Sequence, residues 1–221
     1  MAVTIKSKKE IELMREAGKM LEEVHNKLAD FVKPGISTLE IDQFGEKAIR
    51  DLGCVPNFLN YNGYPASICV SVNDEVVHGI PSKDRILQDG DIVSLDAGLI
   101  YKGYHSDMAR TFPVGEIADN ARRLIDVTRQ SFFEGLKFAY AGNHLHEISA
   151  AIEITPKALD TRCRGPGRTR NRDVSSRGPA DPELSLQEPR HTLTRGNDAR
   201  YRAYDKRRHI RGRLAGRRLD G

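Results

Sequence analysis

Nowhere in the 221 residues does an apolar run reach the about 18 residues that a membrane-spanning helix requires, which argues against a helical membrane protein. The opening segment, MAVTIKSKKEIELM, lacks the continuous apolar stretch of a secretory signal, and the expectation is that it is none. Cysteine is scarce. Cys54, Cys69 and Cys163 stand at wide, unequal spacing that yields neither a disulfide framework nor a zinc-ligand pattern. The expected compartment is therefore the cytoplasm. The last 64 residues have no Phe and no Met, and only eight Val, Ile or Leu.

What is present divides in two. The length suits one large domain or two small ones, and a hydrophobic content of 38% is enough for a core. The net charge of +4 averages two unlike parts. Residues 1–157 hold 18 Lys+Arg against 23 Asp+Glu, whereas residues 158–221 hold 17 against 8. The first part uses seven Arg and eleven Lys, the second sixteen Arg and one Lys. In residues 158–221, Gly, Pro and Arg recur without period, and the apolar surface is too small to offset the entropy of ordering the chain. That segment is read as a disordered or non-native tail, and residues 1–157 as the folded part.

Within the folded part, Ile11, Met14, Ala17, Met20, Leu21, Val24 and Leu28 recur at helical spacing and predict a helix over about 8–32. Pro34-Gly35 ends it. Ser37 followed by Glu40 is a capping box that opens a second helix to about Asp51, closed by Gly53. A turn-rich loop carrying Tyr61 and Tyr64 leads into a strand at 67–72. VNDEVVHGIPS is a loop, 91–113 a hairpin, and helices are expected over 119–140 and 145–154. Helices, strands, then helices again make an α+β pattern.

The hairpin carries the chemistry. Placing its turn between Tyr101 and Lys102 sets Asp96 opposite Asp107, His105 opposite Gly98 and Thr111 opposite Ile92, on the face shared by Ile92, Ser94, Asp96 and Gly98. Facing carboxylates repel, and a shared divalent cation accounts for their retention. Carboxylates favour hard or borderline ions such as Mg²⁺ or Mn²⁺, and a carboxylate pair resembles part of a two-metal site. The alternative is two solvated aspartates on an open sheet face. His78, in a loop shaped by Gly79 and Pro81, is either structural or a donor to a substrate oxygen. His105 is either a surface histidine or a group supporting the carboxylates. Cys69 and the two tyrosines either pack the core or line an apolar pocket.

The segments NYNGYPASICVSVNDEVVHGIP and DGDIVSLDAGLIYKGYHSDMARTFPVG resemble the shorter, bacterial type of methionine aminopeptidase, and the resemblance runs through residues 1–153. It implies the N-terminal half of a pita-bread fold: two related α+β halves around a curved antiparallel sheet, with two divalent cations in the cleft (Co, Mn, Fe, Zn or Mg not distinguished). It implies a monomer that removes the initiator methionine from nascent polypeptide N-termini, at or near the ribosome, by attack of a metal-bridged water. Asp96 and Asp107 match two metal-binding carboxylates, His78 matches the histidine at the scissile peptide, and Tyr61, Tyr64 and Cys69 match positions lining the methionine pocket. The family's remaining ligands, a histidine and two glutamates, belong to its second half, and no matching motif stands in residues 158–221. The implied chain is inactive. Loss of half the fold is also expected to leave the rest unstable and prone to aggregate.

A shifted reading frame accounts for the break. When each codon is read from its second base, with third bases chosen within the freedom of the code, Arg168 to Asp173 become Gly-His-Gly-Ile-Gly. Ser175 to Glu183 become HQEDPQIPN, and Gly196 to Asp205 become GMTLAIEPMI. These are the family's missing segments in order. The slip falls between Ile154 and Thr161 and also accounts for the Arg-rich composition and the stop at Gly221. The rival reading is a pseudo-enzyme whose sixteen arginines bind RNA or ribosomes without sequence preference, although Tyr201 and Tyr204 are few aromatics for base stacking. The transcript around codons 153–162 decides between them. An intact, stop-free shifted frame is the expected result, and a scrambled one points to a genuine basic tail.

Overall fold

Two serines begin the N-terminal helices by the same device. Ser7 and Ser37 each accept a hydrogen bond from the backbone of the residue three positions on, while Glu10 and Glu40 reach back to the serine N–H, at 2.7 Å in both cases. These reciprocal bonds satisfy helix-start donors that would otherwise be left open. They start α1 (Lys8–Phe31) and α2 (Thr38–Asp51). The computed structural model describes residues 5–158. The expectations for the Arg-rich tail lie, from residue 159 on, outside the described residues.

The chain continues through β1 (Val55–Pro56), a 3-10 turn at Tyr61–Gly63, β2 (Ile68–Val72), β3 (Ile92–Tyr101), β4 (Tyr104–Pro113), α3 (Asp119–Leu136) and α4 (Leu145–Ala158). All pairings are antiparallel. β3 is the central strand, with β4 along one edge and β1 and β2 successively along the other. The back of β3 presents Val93, Leu95, Ala97 and Leu99, none with any exposure, beside Ile68, Val70 and Val72 of β2. Against this apolar face lie Leu21, Val24 and Leu28 of α1 and Ile41 and Ile49 of α2. Two amphipathic helices on one sheet face form the core, and the opposite face is left for chemistry. The elements agree with the α+β expectation, except that α3 stops four residues short and α4 runs four residues longer than expected.

One expectation is corrected. The turn is centred between Lys102 and Gly103, not between Tyr101 and Lys102, so Tyr101 pairs with Tyr104 and facing positions sum to 205. Both turn residues have positive φ, 47° for Lys102 and 81° for Gly103, which matches the two-residue turn whose twist suits a hairpin. Glycine at the second position makes this conformation accessible. Asp96 therefore faces Ala109, Asp107 faces Gly98, His105 faces Ile100 and Thr111 faces Ser94. The displacement is two residues. An even shift leaves every side chain on the face expected of it, whereas a shift of one would have inverted them all.

Behind β4, α1 contributes a wholly buried histidine. His25 Nε2 lies 3.0 Å from the Met108 carbonyl, so Nε2 carries a proton and donates it. Burial depresses its pKa to about 4 from 6.5; the Arg110 charge acts in the same direction, and the Met108 bond opposes it. Above pH 6.5 neither the folded nor the unfolded chain binds a proton here, and the contribution to stability is whole. As the pH falls from 6.5 towards 4, only the unfolded chain takes up the proton, and stability is lost, by about 3 kcal/mol at full extent. The urea midpoint is expected to drop steadily between pH 7 and pH 4.5, with a shallower drop in His25→Gln. Equal slopes in the two proteins would show that another group governs the loss.

Candidate active site

The front of the sheet is built from small and polar residues. Ser94 and Thr111 face each other and share a hydrogen bond of 2.8 Å between hydroxyls. Asp96 and Asp107 are each opposite a residue with little or no side chain, Ala109 and Gly98 respectively. The two carboxylates are thus diagonal neighbours on one face, at a Cα separation of about 7–8 Å. Both residues are half-buried, and Asp96 Oδ1 is wholly buried. This offset avoids the direct opposition expected from the sequence while keeping both carboxylates directed to the same side.

Gly98 has a further role. A Cβ there would stand 2.9 Å from Asn57 Cβ and 3.0 Å from Phe58 Cε1, so the loop after β1 rests on the glycine itself. Asn57 N donates to the Gly98 carbonyl at 2.9 Å, and Asn57 Oδ1 lies 2.8 Å from His105 Nδ1. Since an amide oxygen only accepts, that imidazole nitrogen donates. His105 therefore anchors the loop that carries Tyr61 and Tyr64. Its observed partner is Asn57 rather than a carboxylate.

Along the other side of β3, Cys69 pairs with Asp96 and is buried. Its Sγ lies 3.9 Å from Nδ1 of His78. His78 has a φ of 60°, uncommon for a non-glycine residue, and the next residue explains how it is held. Gly79 is pressed against β2 so tightly that a Cβ would lie 2.0 Å from the Val70 carbonyl oxygen. Val70 N donates to Gly79 O at 3.0 Å, and Gly79 N donates to Ser71 Oγ at 3.1 Å. The Tyr64 hydroxyl completes the clasp, 2.9 Å from Gly79 O and 3.2 Å from Ile68 O. Burial, then the bond with the Cys69 side chain, push the Tyr64 phenol well above its ordinary pKa, so it acts as a neutral donor.

Of the residues singled out in the sequence, Tyr64, Cys69, His78 and Asp96 converge, and Asp107 lies diagonally across from Asp96. Tyr61 is exposed at the start of the 3-10 turn. Sequence reasoning missed Asn57 and Asp42. The buried Asp42 carboxylate accepts from Ser67 N and Ile68 N, both at 2.8 Å, and so anchors the start of β2. Burial raises its pKa despite these bonds. An aspartate within a helix of alternating polar and apolar residues carries no signal of such a long-range contact.

Two carboxylates on one face suit a hard divalent cation, but among the described residues no group of three or more His, Cys, Asp or Glu is placed to hold a metal ion. The donor set fits a metal in part only. Residues 12–168 match metallopeptidase family M24, and the chain belongs to that family. Within it, the chain is similar to the methionine aminopeptidase of Clostridium acetobutylicum, at 49% identity over 68% of this chain and 60% of the relative. It is 48% identical to methionine aminopeptidase 1 of Bacillus subtilis, with the same coverage. The crystal structure of methionine aminopeptidase from Rickettsia prowazekii superposes with a TM-score of 0.70 and 35% identity, covering 72% of this chain and 63% of that one. The chain thus spans about 60% of the length of the curated relatives it matches. The described residues form the N-terminal half of the pita-bread fold.

Gly79→Ala is expected to force His78 off β2 and to break the Val70–Gly79 bond, at a cost of about 2–4 kcal/mol in unfolding free energy. Chemical denaturation measures the loss. A cost under about 0.5 kcal/mol would mean that the loop is not clamped as described.

Proposed function

We propose that this chain descends from a cytoplasmic, metal-dependent methionine aminopeptidase acting on nascent chains, and that it is itself inactive. The observation that carries the reading is the pair of diagonal carboxylates, Asp96 and Asp107, on a sheet face where no third ligand joins them among the described residues. Asp96 and Asp107 would be two of the ligands of a two-ion centre. When bound, divalent ions supply a water of lowered pKa and polarise the scissile carbonyl. His78, presented by the strained loop beside β2, would donate to the substrate oxygen, and Tyr61, Tyr64 and Cys69 would line the pocket for the methionine side chain. The remaining histidine and glutamate ligands belong to the second half, whose sequence the shifted frame would restore. Residues 1–157 would then be a partial catalytic domain, and the rest a product of the slip.

The purified chain, supplied with Co²⁺ or Mn²⁺, is expected to release methionine from Met-Ala or Met-Gly peptides at no measurable rate. The deficit should exceed the roughly 100-fold that loss of a single supporting group costs a metal site. Turnover comparable to that of a full-length relative would overturn the proposal.

A further inference from the structure

His144-Leu145-His146 brings two imidazoles together where their spacing alone would not. Within a continuous helix, residues two apart do not face each other. Here α4 begins at Leu145, so His144 stands just outside the helix and His146 lies in its first turn. The two rings meet with their centres 5.5 Å apart and their planes tilted by 31°. The backbone on both sides of His144 is fixed. Before it, the buried Asn143 donates its side-chain amide to the Phe138 carbonyl at 2.9 Å, and Asn143 N donates to the Tyr140 carbonyl at 3.2 Å. After it, Glu147 N donates to the His144 carbonyl at 3.1 Å and closes the first turn of α4. The pair is thus preset by the fold and open to solvent, with His144 half-buried and His146 exposed.

Two imidazoles at this separation have the geometry of a chelate. Rings that share one tetrahedral ion, each nitrogen at about 2.0–2.1 Å from it, have their centres about 5 Å apart. Imidazole nitrogen suits Zn²⁺, Cu²⁺ and Ni²⁺, whereas carboxylate and water oxygens suit Mg²⁺. We infer that His144 and His146 form a metal site of their own, at the entry to α4 rather than on the carboxylate face of β3. It takes one borderline divalent transition-metal ion and leaves the remaining coordination positions to water. Two protein ligands are fewer than the four of a structural zinc site, so the ion is held reversibly. Bound there, it ties the connection after α3 to the first turn of α4. The inference is independent of the family reading, because it uses neither Asp96 nor Asp107.

The test is calorimetric titration of the full chain with Zn²⁺ in a background of excess Mg²⁺. The chain is produced without a polyhistidine tag and fused to a solubility carrier, and the carrier alone serves as the blank. A saturable component with a dissociation constant below about 100 μM is expected. His144→Asn and His146→Asn should each weaken that component at least tenfold, because one imidazole cannot chelate. His146 is exposed, so its replacement leaves the fold intact and decides the matter even where that of His144 does not. Absence of a saturable component overturns the inference. So does an affinity that His146→Asn leaves unchanged, which would place the ion elsewhere on the chain.

Discussion

Everything on the functional face depends on the antiparallel pairing of β3 with β4. Ten residue pairs in continuous register bring together carboxylates separated by eleven positions in the chain, and the two-residue turn at Lys102-Gly103 sets that register. The back of β3 is apolar and clamped under α1 and α2, so the pairing cannot slip by one without exposing the core. The burial of Val93, Leu95, Ala97 and Leu99 is thus the reason that Asp96 stays on the open side.

The second constraint is close backbone approach. Gly98 and Gly79 are the two places where another segment lies directly on the sheet, and at each a side chain would collide with what rests there. The first lets the loop bearing Tyr61 and Tyr64 settle next to Asp107. The second presses the His78 loop against Val70, and the Tyr64 hydroxyl joins the two loops. Asp42 and His25 support this arrangement from behind, one holding the start of β2 and the other bonding the backbone of β4 next to Asp107. The site is therefore assembled by contacts that bear no chemistry of their own.

The helices beyond the hairpin differ in kind. α1 and α2 bury their apolar sides in a shared core, whereas α3 and α4 mainly cover each other and keep aromatic side chains in contact with water. That asymmetry agrees with a family member spanning about 60% of its relatives' length.

Much of this was legible in the residues. The Ser37–Glu40 box, the apolar periodicity of α1, the alternation along β3 and the carboxylates on its polar face follow from local patterns of spacing, and the family follows from its motifs. The register did not, because Tyr101-Lys102 and Lys102-Gly103 are both short polar turns, and only the φ values of the folded hairpin separate them. Nor did the partner of His105, the anchoring by Asp42 or the buried neutral state of His25, since each depends on a residue at least 25 positions away. By itself the sequence determined which side chains share a face, because alternation is a property of the extended strand. Only the tertiary structure decided which of them meet, because distances across strands and loops are set by packing rather than by spacing along the chain.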